Sequence, residues 1–115
     1  MRRMEQINDL LQRKLAEMFS TDIEIPSEFF ITITKVECAK NLKDADVWFS
    51  VLPFNQSEEA LKFVIRIRKE IQRKLGDIIN LQFTPRLHYH IDETEQTADE
   101  IYQTLDKINE QERDK

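Results

Sequence analysis

Four side chains of one chemistry and regular spacing stand out in the chain: Lys62, Arg66, Lys69 and Arg73 fall at i, i+4, i+7 and i+11. At about 100° per residue this spacing gathers them on one helix face, opposite Leu61, Val64, Ile67, Ile71, Leu75 and Ile78. With Arg68 and Lys74, six Lys or Arg side chains between positions 62 and 74 meet one acid, Glu70. The segment carries +5 in a chain of net charge −5, so all other residues together carry −10. Cations concentrated in this way have the chemistry of phosphate neutralisation, which is salt-sensitive and nearly blind to sequence. The plainer reading is a solvated helix face, since exposed charges cost little. Such a face, however, ordinarily interleaves Glu with Lys at i,i+4.

Other groups with reactive side chains are weaker. His88, His90 and Asp92 alternate along one strand face, a spacing that holds zinc when further ligands converge. The chain has no other histidine, no cysteine pair and no HExxH helix, so the two histidines read as exposed edge-face residues. Asp44 with Asp46, and Glu93 with Glu95, fall in a turn and at a helix start, where carboxylates are structurally favoured. Neither pair reads as an acid–base couple. Cys38 and Ser50 lack any sequence hint of an activating base, and Cys38 lies in an alternating apolar run, as a small core residue would. Gly76 is the only glycine. Phosphate-cradling nucleotide loops need several, so nucleotide-fold enzymology is excluded. No catalytic residue, metal site or cofactor is expected.

These residues require a folded scaffold, and 115 residues with 40% hydrophobic and 34% charged side chains suit one soluble domain with a single core. No apolar run approaches the roughly 20 residues that cross a bilayer, and the charged start lacks a signal peptide's hydrophobic region. A lone cysteine fits the cytosol.

Met4, Ile7, Leu11, Leu15 and Met18, with Leu10 alongside, define an amphipathic helix from about residue 3 to 19, ended by Ser20, Thr21, Asp22 and Pro26. Phe29, Ile31 and Ile33 then alternate with Thr32 and Thr34, while Val36 and Cys38 continue on the opposite parity. A bulge near Thr34 to Lys35, or burial on both faces, accounts for the slip. After turn residues at Asn41 to Asp44, Ala45, Val47, Phe49 and Val51 form a second strand, antiparallel to the first, with Trp48 facing the other way. Pro53 and Asn55 break it, Ser57 reads as an N-cap before Glu58 and Glu59, and the cationic helix runs to about Gly76.

Phe83, Leu87, Tyr89 and Ile91 make a third strand, placed at an edge by Pro85 and parallel to the second because a helix intervenes. Thr94 or Thr97 opens a last helix carrying Ala98, Ile101, Leu105 and Ile108, which covers the sheet or the first helix. The predicted fold is α+β, in the order helix, strand, strand, helix, strand, helix, with a three-stranded mixed sheet packed against helices. One domain spans residues 1–109, and the polar tail 110–115 frays.

The run Phe30-Ile31-Thr32-Ile33-Thr34-Lys35-Val36, followed by Leu42-Lys43-Asp44-Ala45-Asp46-Val47-Trp48-Phe49-Ser50-Val51, resembles the hairpin of the ribosome-binding factor A family. Ala60-Leu61, Ile71-Gln72-Arg73-Lys74-Leu75 and Pro85-Arg86-Leu87-His88-Tyr89-His90-Ile91-Asp92 resemble its second helix, Pro-initiated strand and following Asp. Arg3 with Ile7 is similar to its opening helix. The likeness is collinear from about residue 3 to 109. It implies a K-homology domain of type II arrangement and a non-enzymatic assembly factor. The implied partner is the immature small (30S) ribosomal subunit with its 16S ribosomal RNA, whose 5′-end processing such a factor supports. The chain departs from the family at Ile67, Arg68 and Lys69, where an Ala-x-Gly kink is usual, and Asn80 and Gln82 stand where arginines are common.

Lys62, Arg66, Lys69 and Arg73 are thus the expected charge donors to RNA, with Arg68, Lys74, Lys43 and Arg86 as flanking contacts. Trp48, Phe49 and Tyr89 read as core or sheet-face residues, not as a stacking platform. The acidic segment from Asp92 to Lys115, net −6, would orient the domain by repelling RNA from its own side. Partners other than the subunit, namely a membrane or a small-molecule substrate, are not expected, and the chain is expected to be a cytoplasmic monomer. The alternative is a protein-interaction module that docks an acidic protein through the basic helix and binds no RNA.

Overall fold

The computed structural model describes residues 2–79 and 84–94. The predicted last helix and tail, together with Phe83, Asn80 and Gln82, lie outside the described residues.

The first helix, α1 (Arg2–Glu17), buries Ile7, Leu11 and Leu15 on one stripe, as their spacing demands. The chain then widens into one π-type turn over Met18–Asp22, where the Ile23 amide donates to the Met18 carbonyl at 3.0 Å. Ser20 and Thr21 hydroxyls donate back to the carbonyls of Ala16 and Glu17, at 2.9 and 2.8 Å, and so compete with regular helix propagation.

Strands β1 (Phe30–Cys38) and β2 (Asp44–Leu52) form the antiparallel hairpin. The register shifts between Ile33 and Lys35, so the slip in parity is a bulge centred on Thr34. Ile31 and Ile33 before it, and Val36 and Cys38 after it, all reach the same core. Burial holds the Cys38 thiol above its usual range, and Asp44 pushes in the same direction, which suits an inert packing residue.

Beyond β2 a single 3-10 turn, Phe54–Gln56, leads into α2 (Ser57–Arg66). Ser57 is not the N-cap: it is fully buried inside the first turn, and its hydroxyl donates to the Phe54 carbonyl at 2.6 Å. A second helix, α3 (Arg68–Ile78), follows immediately. The last strand, β3 (Arg86–Ile91), lies parallel to β2 in a sheet ordered β1-β2-β3, so β3 is an edge strand. Among the described residues the architecture is three helices and a three-stranded mixed sheet.

Ala45, Val47 and Phe49 of β2 are at most 1% exposed, and they meet Leu11, Leu15, Val64, Ile71 and Leu75 from the helices. Apart from Ala45, each such side chain contributes about 1.5 to 3 kcal/mol of transfer free energy when fully buried. Helices thus cover one sheet face. The other carries Thr32, Lys35, Glu37, Asp46, Trp48, Ser50, His88 and His90, all at least partly exposed.

Candidate nucleic-acid interface

The expected cationic helix is two helices. Ile67 joins them at φ −99°, ψ 13°, well away from helical values, although its amide still donates to the Phe63 carbonyl at 3.1 Å. No glycine is needed, because Arg68 supplies the accommodation: its guanidinium donates to the Ile65 carbonyl at 2.7 Å, a side-chain insertion of the sort that accompanies helix breaks. The single ridge read from the sequence is therefore corrected to two shorter pairs. Lys62 and Arg66 sit on α2, and Lys69 and Arg73 on α3. All four are exposed; of the apolar residues set opposite them, Val64, Ile71 and Leu75 are buried, Leu61 and Ile67 are half-buried, and Ile78 is exposed.

Their charges are not equally available. Lys62 lies 3.6 Å from Glu58 and 3.7 Å from Glu59, so its charge is largely offset by its own helix. Arg73 lies 3.6 Å from Asp77. Arg66 has only the face of Phe63, 5.9 Å from its guanidinium carbon. Among the described residues no carboxylate comes within ion-pair distance of Arg66, Arg68, Lys69 or Lys74. The electropositive centre thus falls at the junction of α2 and α3.

Of the flanking cations, Arg68 and Lys74 lie on α3, whereas Lys43 and Arg86 adjoin at one end of the sheet. Lys43, in the hairpin turn, accepts a backbone hydrogen bond from Arg86 at 2.8 Å, and Arg86 also pairs with Asp44 at 3.4 Å. Gln72 ties this end to α3: its amide donates to the Pro85 carbonyl at 2.6 Å, and its carbonyl oxygen lies 3.4 Å from the Leu87 amide. The position of α3 along β3 is therefore set by a polar clamp one residue before Arg73. Gly76 contributes closeness, since a Cβ there would lie 3.1 Å from Thr84 Oγ1.

Sequence reasoning missed the chemistry of the outer sheet face. His88 Nε2 lies 2.9 Å from Asp44 Oδ1, and His90 Nε2 lies 2.9 Å from Asp46 Oδ1. Asp44 and Asp46 belong to β2, not to a turn. The His88 hydrogen bond, helped by the Arg86 and His88 charges, holds the Asp44 carboxyl below its usual range. Trp48 stacks on His90 at 5.0 Å, and the Lys35 ammonium lies 4.9 Å from its ring centroid. Because β1 and β3 flank β2, Lys35 and His90 approach from opposite sides, and Trp48 is engaged within the sheet rather than offered to a base. Among the described residues no three His, Cys, Asp or Glu side chains converge on a metal position, and no helix is long and apolar enough to cross a membrane.

Among the described residues, a three-stranded mixed sheet with its helices on one face, in the order helix, strand, strand, helix, helix, strand, defines a K-homology-like domain of type II arrangement. A family model described as ribosome-binding factor A matches residues 3–105. The chain is 33% identical over 115 residues to ribosome-binding factor A of Chlamydia pneumoniae, spanning 97% of this chain and 96% of that protein. It is 30% identical over 106 residues to that of Thioalkalivibrio sulfidiphilus, spanning 91% and 82%. The crystal structure of ribosome-binding factor A from Thermus thermophilus superposes with a TM-score of 0.70 at 22% identity, covering 81% of this chain and 99% of that one. A Thermus thermophilus homology model fitted into a cryo-EM map of a 30S complex superposes at 0.65 and 24% identity, covering 77% and 94%. The chain belongs to the ribosome-binding factor A family.

Proposed function

We propose that the chain is a cytoplasmic, non-enzymatic assembly factor that binds the small ribosomal subunit and its 16S ribosomal RNA during maturation and supports 5′-end processing. Family membership supports the partner, because the relatives are named for ribosome binding and one neighbour is described in a 30S complex. The observation that carries the RNA reading is the junction of α2 and α3. There Arg66, Arg68 and Lys69 stand without carboxylate partners among the described residues, as does Lys74 two turns further along α3, in a chain of net charge −5. Lys62 and Arg73 on the same helices, and Lys43 and Arg86 at the end of the sheet, add charge, already partly offset for Lys62, Arg73 and Arg86. Binding through such groups is dominated by phosphates, with RNA shape selecting the site.

The test is charge reversal at Arg66, Lys69 and Arg73 together. Co-sedimentation with small subunits should be lost while the thermal transition is retained, because all three side chains are exposed. Unchanged co-sedimentation would sink the role of these cations. Purified small-subunit RNA titrated across salt separates this reading from docking of an acidic protein, which leaves RNA unbound.

A further inference from the structure

Beyond the cationic helices, the opposite charge collects around an open cleft. From Leu15 to Thr34 the chain contains no Lys, Arg or His but four acids: Glu17, Asp22, Glu24 and Glu28. The cations that bound the segment are each turned to their own acid, Lys14 to Glu17 at 3.9 Å and Lys35 to Glu37 at 3.4 Å. Asp22, Glu24 and Glu28 are exposed, with no ion-pair partner among the described residues.

Along this segment lies an open cleft of about 470 Å³, lined by Phe19, Ile23, Ile25 and Pro26 and by Phe30 to Thr32 of β1. Asp22, Glu24 and Glu28 each adjoin a lining residue in sequence, so the segment that lines the cleft is anionic and its carboxylates are exposed. Phe30 is 71% exposed, and its cross-strand partner Leu52 is 65% exposed.

Among the described residues the cleft runs beside an unpaired strand edge. β1 is outermost in the sheet, and α1 covers only part of its rim. Gln12 Nε2 donates to the Thr34 carbonyl at 3.2 Å, and Asn8 Oδ1 accepts from the Cys38 amide at 2.8 Å. Asn8 and Gln12 are one helical turn apart and stand in for a neighbouring strand over the second half of β1. Along Phe30 to Ile33 no side chain or backbone group outside β2 takes up the outward groups, among the described residues. Free edge groups beside apolar pockets are the elements of strand addition, in which main-chain hydrogen bonds give affinity and alternate side chains give specificity.

We infer that this edge is a second binding site, which takes an extended segment of a partner protein rich in Lys or Arg with apolar side chains between them. The segment pairs with Phe30 to Ile33, places an apolar side chain in the cleft against Phe30, and sets its cations against Asp22, Glu24 and Glu28. RNA is disfavoured there by the same carboxylates. The site does not depend on the RNA reading of α2 and α3, so either can fail alone.

The probe is a short synthetic peptide of alternating lysine and valine, with a glutamate–valine peptide as control. Binding of the first should slow amide exchange at outward-facing positions between Phe30 and Ile33. Phe30→Ser, at an exposed position that should leave the fold intact, should weaken binding about tenfold, as loss of an anchor side chain does. The combined variant Asp22→Asn, Glu24→Gln, Glu28→Gln should weaken it as well, with circular dichroism unchanged. Equal binding of the glutamate peptide, exchange changes confined to other strands, or no binding would overturn the inference. So would dimers formed across this edge without peptide, which would make a second copy of the chain the occupant.

Discussion

The hydroxyl of Thr34 donates to Asp92 Oδ2 at 2.6 Å across 58 positions of sequence. Thr34 is the extra residue of the β1 bulge, and Asp92 directly follows β3, its amide donating to the Phe49 carbonyl at 2.7 Å. Gln12 holds the Thr34 carbonyl from the other side. One bulge therefore ties α1, the hairpin and the end of the parallel strand together. Thr34→Val, which keeps shape and removes the donor, should cost about 1 to 3 kcal/mol in urea unfolding near neutral pH, as loss of a hydrogen bond to a charged group does.

The pH dependence of that loss has a definite sign. The Thr34 hydroxyl, joined by the amide and hydroxyl of Thr94 and by the Lys35 charge, holds the Asp92 carboxyl below its usual range against the opposing effect of partial burial. A carboxyl depressed in the folded state adds stability above its unfolded pKa of about 4, and loses it as pH falls through the folded value. The gap between wild type and Thr34→Val should thus narrow in acid. Equal loss at acid and neutral pH would assign the effect to packing alone.

Asp44 offers a second titration. His88→Gln removes the main group that lowers its carboxyl, and Arg86 supplies the next opposite charge. Carboxyl carbon NMR should show the Asp44 midpoint below the ordinary carboxylate range in the native chain and shifted upward in the variant. No shift would mean that the 2.9 Å approach of His88 does not persist in solution.

Among the basic side chains, the ranking is testable one residue at a time. Arg66→Glu and Lys69→Glu should each weaken RNA binding and flatten the log–log salt dependence by about 0.7 to 0.9 for every phosphate no longer neutralised. Lys62→Glu should do less, because Glu58 and Glu59 already occupy its charge. A larger effect at Lys62 than at Arg66 would place the bound phosphates at the start of α2 instead of the junction.

Gln72→Ala should loosen β3 more than α3. It removes the donor to the Pro85 carbonyl and the acceptor facing Leu87, so the expected cost is about 1 to 2 kcal/mol, with faster amide exchange at Leu87. Unaltered protection at Leu87 would mean that the clamp is dispensable.

Much of this fold was legible because parity and connection length are strong constraints. The alternation of Phe29, Ile31 and Ile33 followed by Val36 and Cys38 left a bulge near Thr34 to Lys35 or burial on both faces, of which the bulge is found, and the helix between β2 and β3 dictated parallel pairing. The break at Ile67 was not legible, since it depends on Arg68 reaching the Ile65 carbonyl, and apolar periodicity does not record side-chain insertion. Ser57 carries the hydroxyl that favours a cap, but the preceding 3-10 turn sets it one position inward. Of the candidate site, the charge of the cations was visible, but their availability was not, because i,i+4 neighbours such as Asp77 count only when geometry lets them meet. The histidine and aspartate pairs carried a signal in their shared two-residue spacing. Their diagonal register, Asp44 opposite Arg86 rather than His88, was beyond it.

The amide side chains on the rims of the sheet have a colloidal consequence. Asn8 and Gln12 occupy part of one rim, and Gln72 reaches the Leu87 amide on the other, each reproducing the hydrogen bonding of a peptide group without the chain that would continue it. An uncapped three-stranded sheet would be a template for indefinite stacking of copies. Among the described residues the stretch of β1 left bare runs only from Phe30 to Ile33, so that rim should recruit further copies less readily than one bare along its full length.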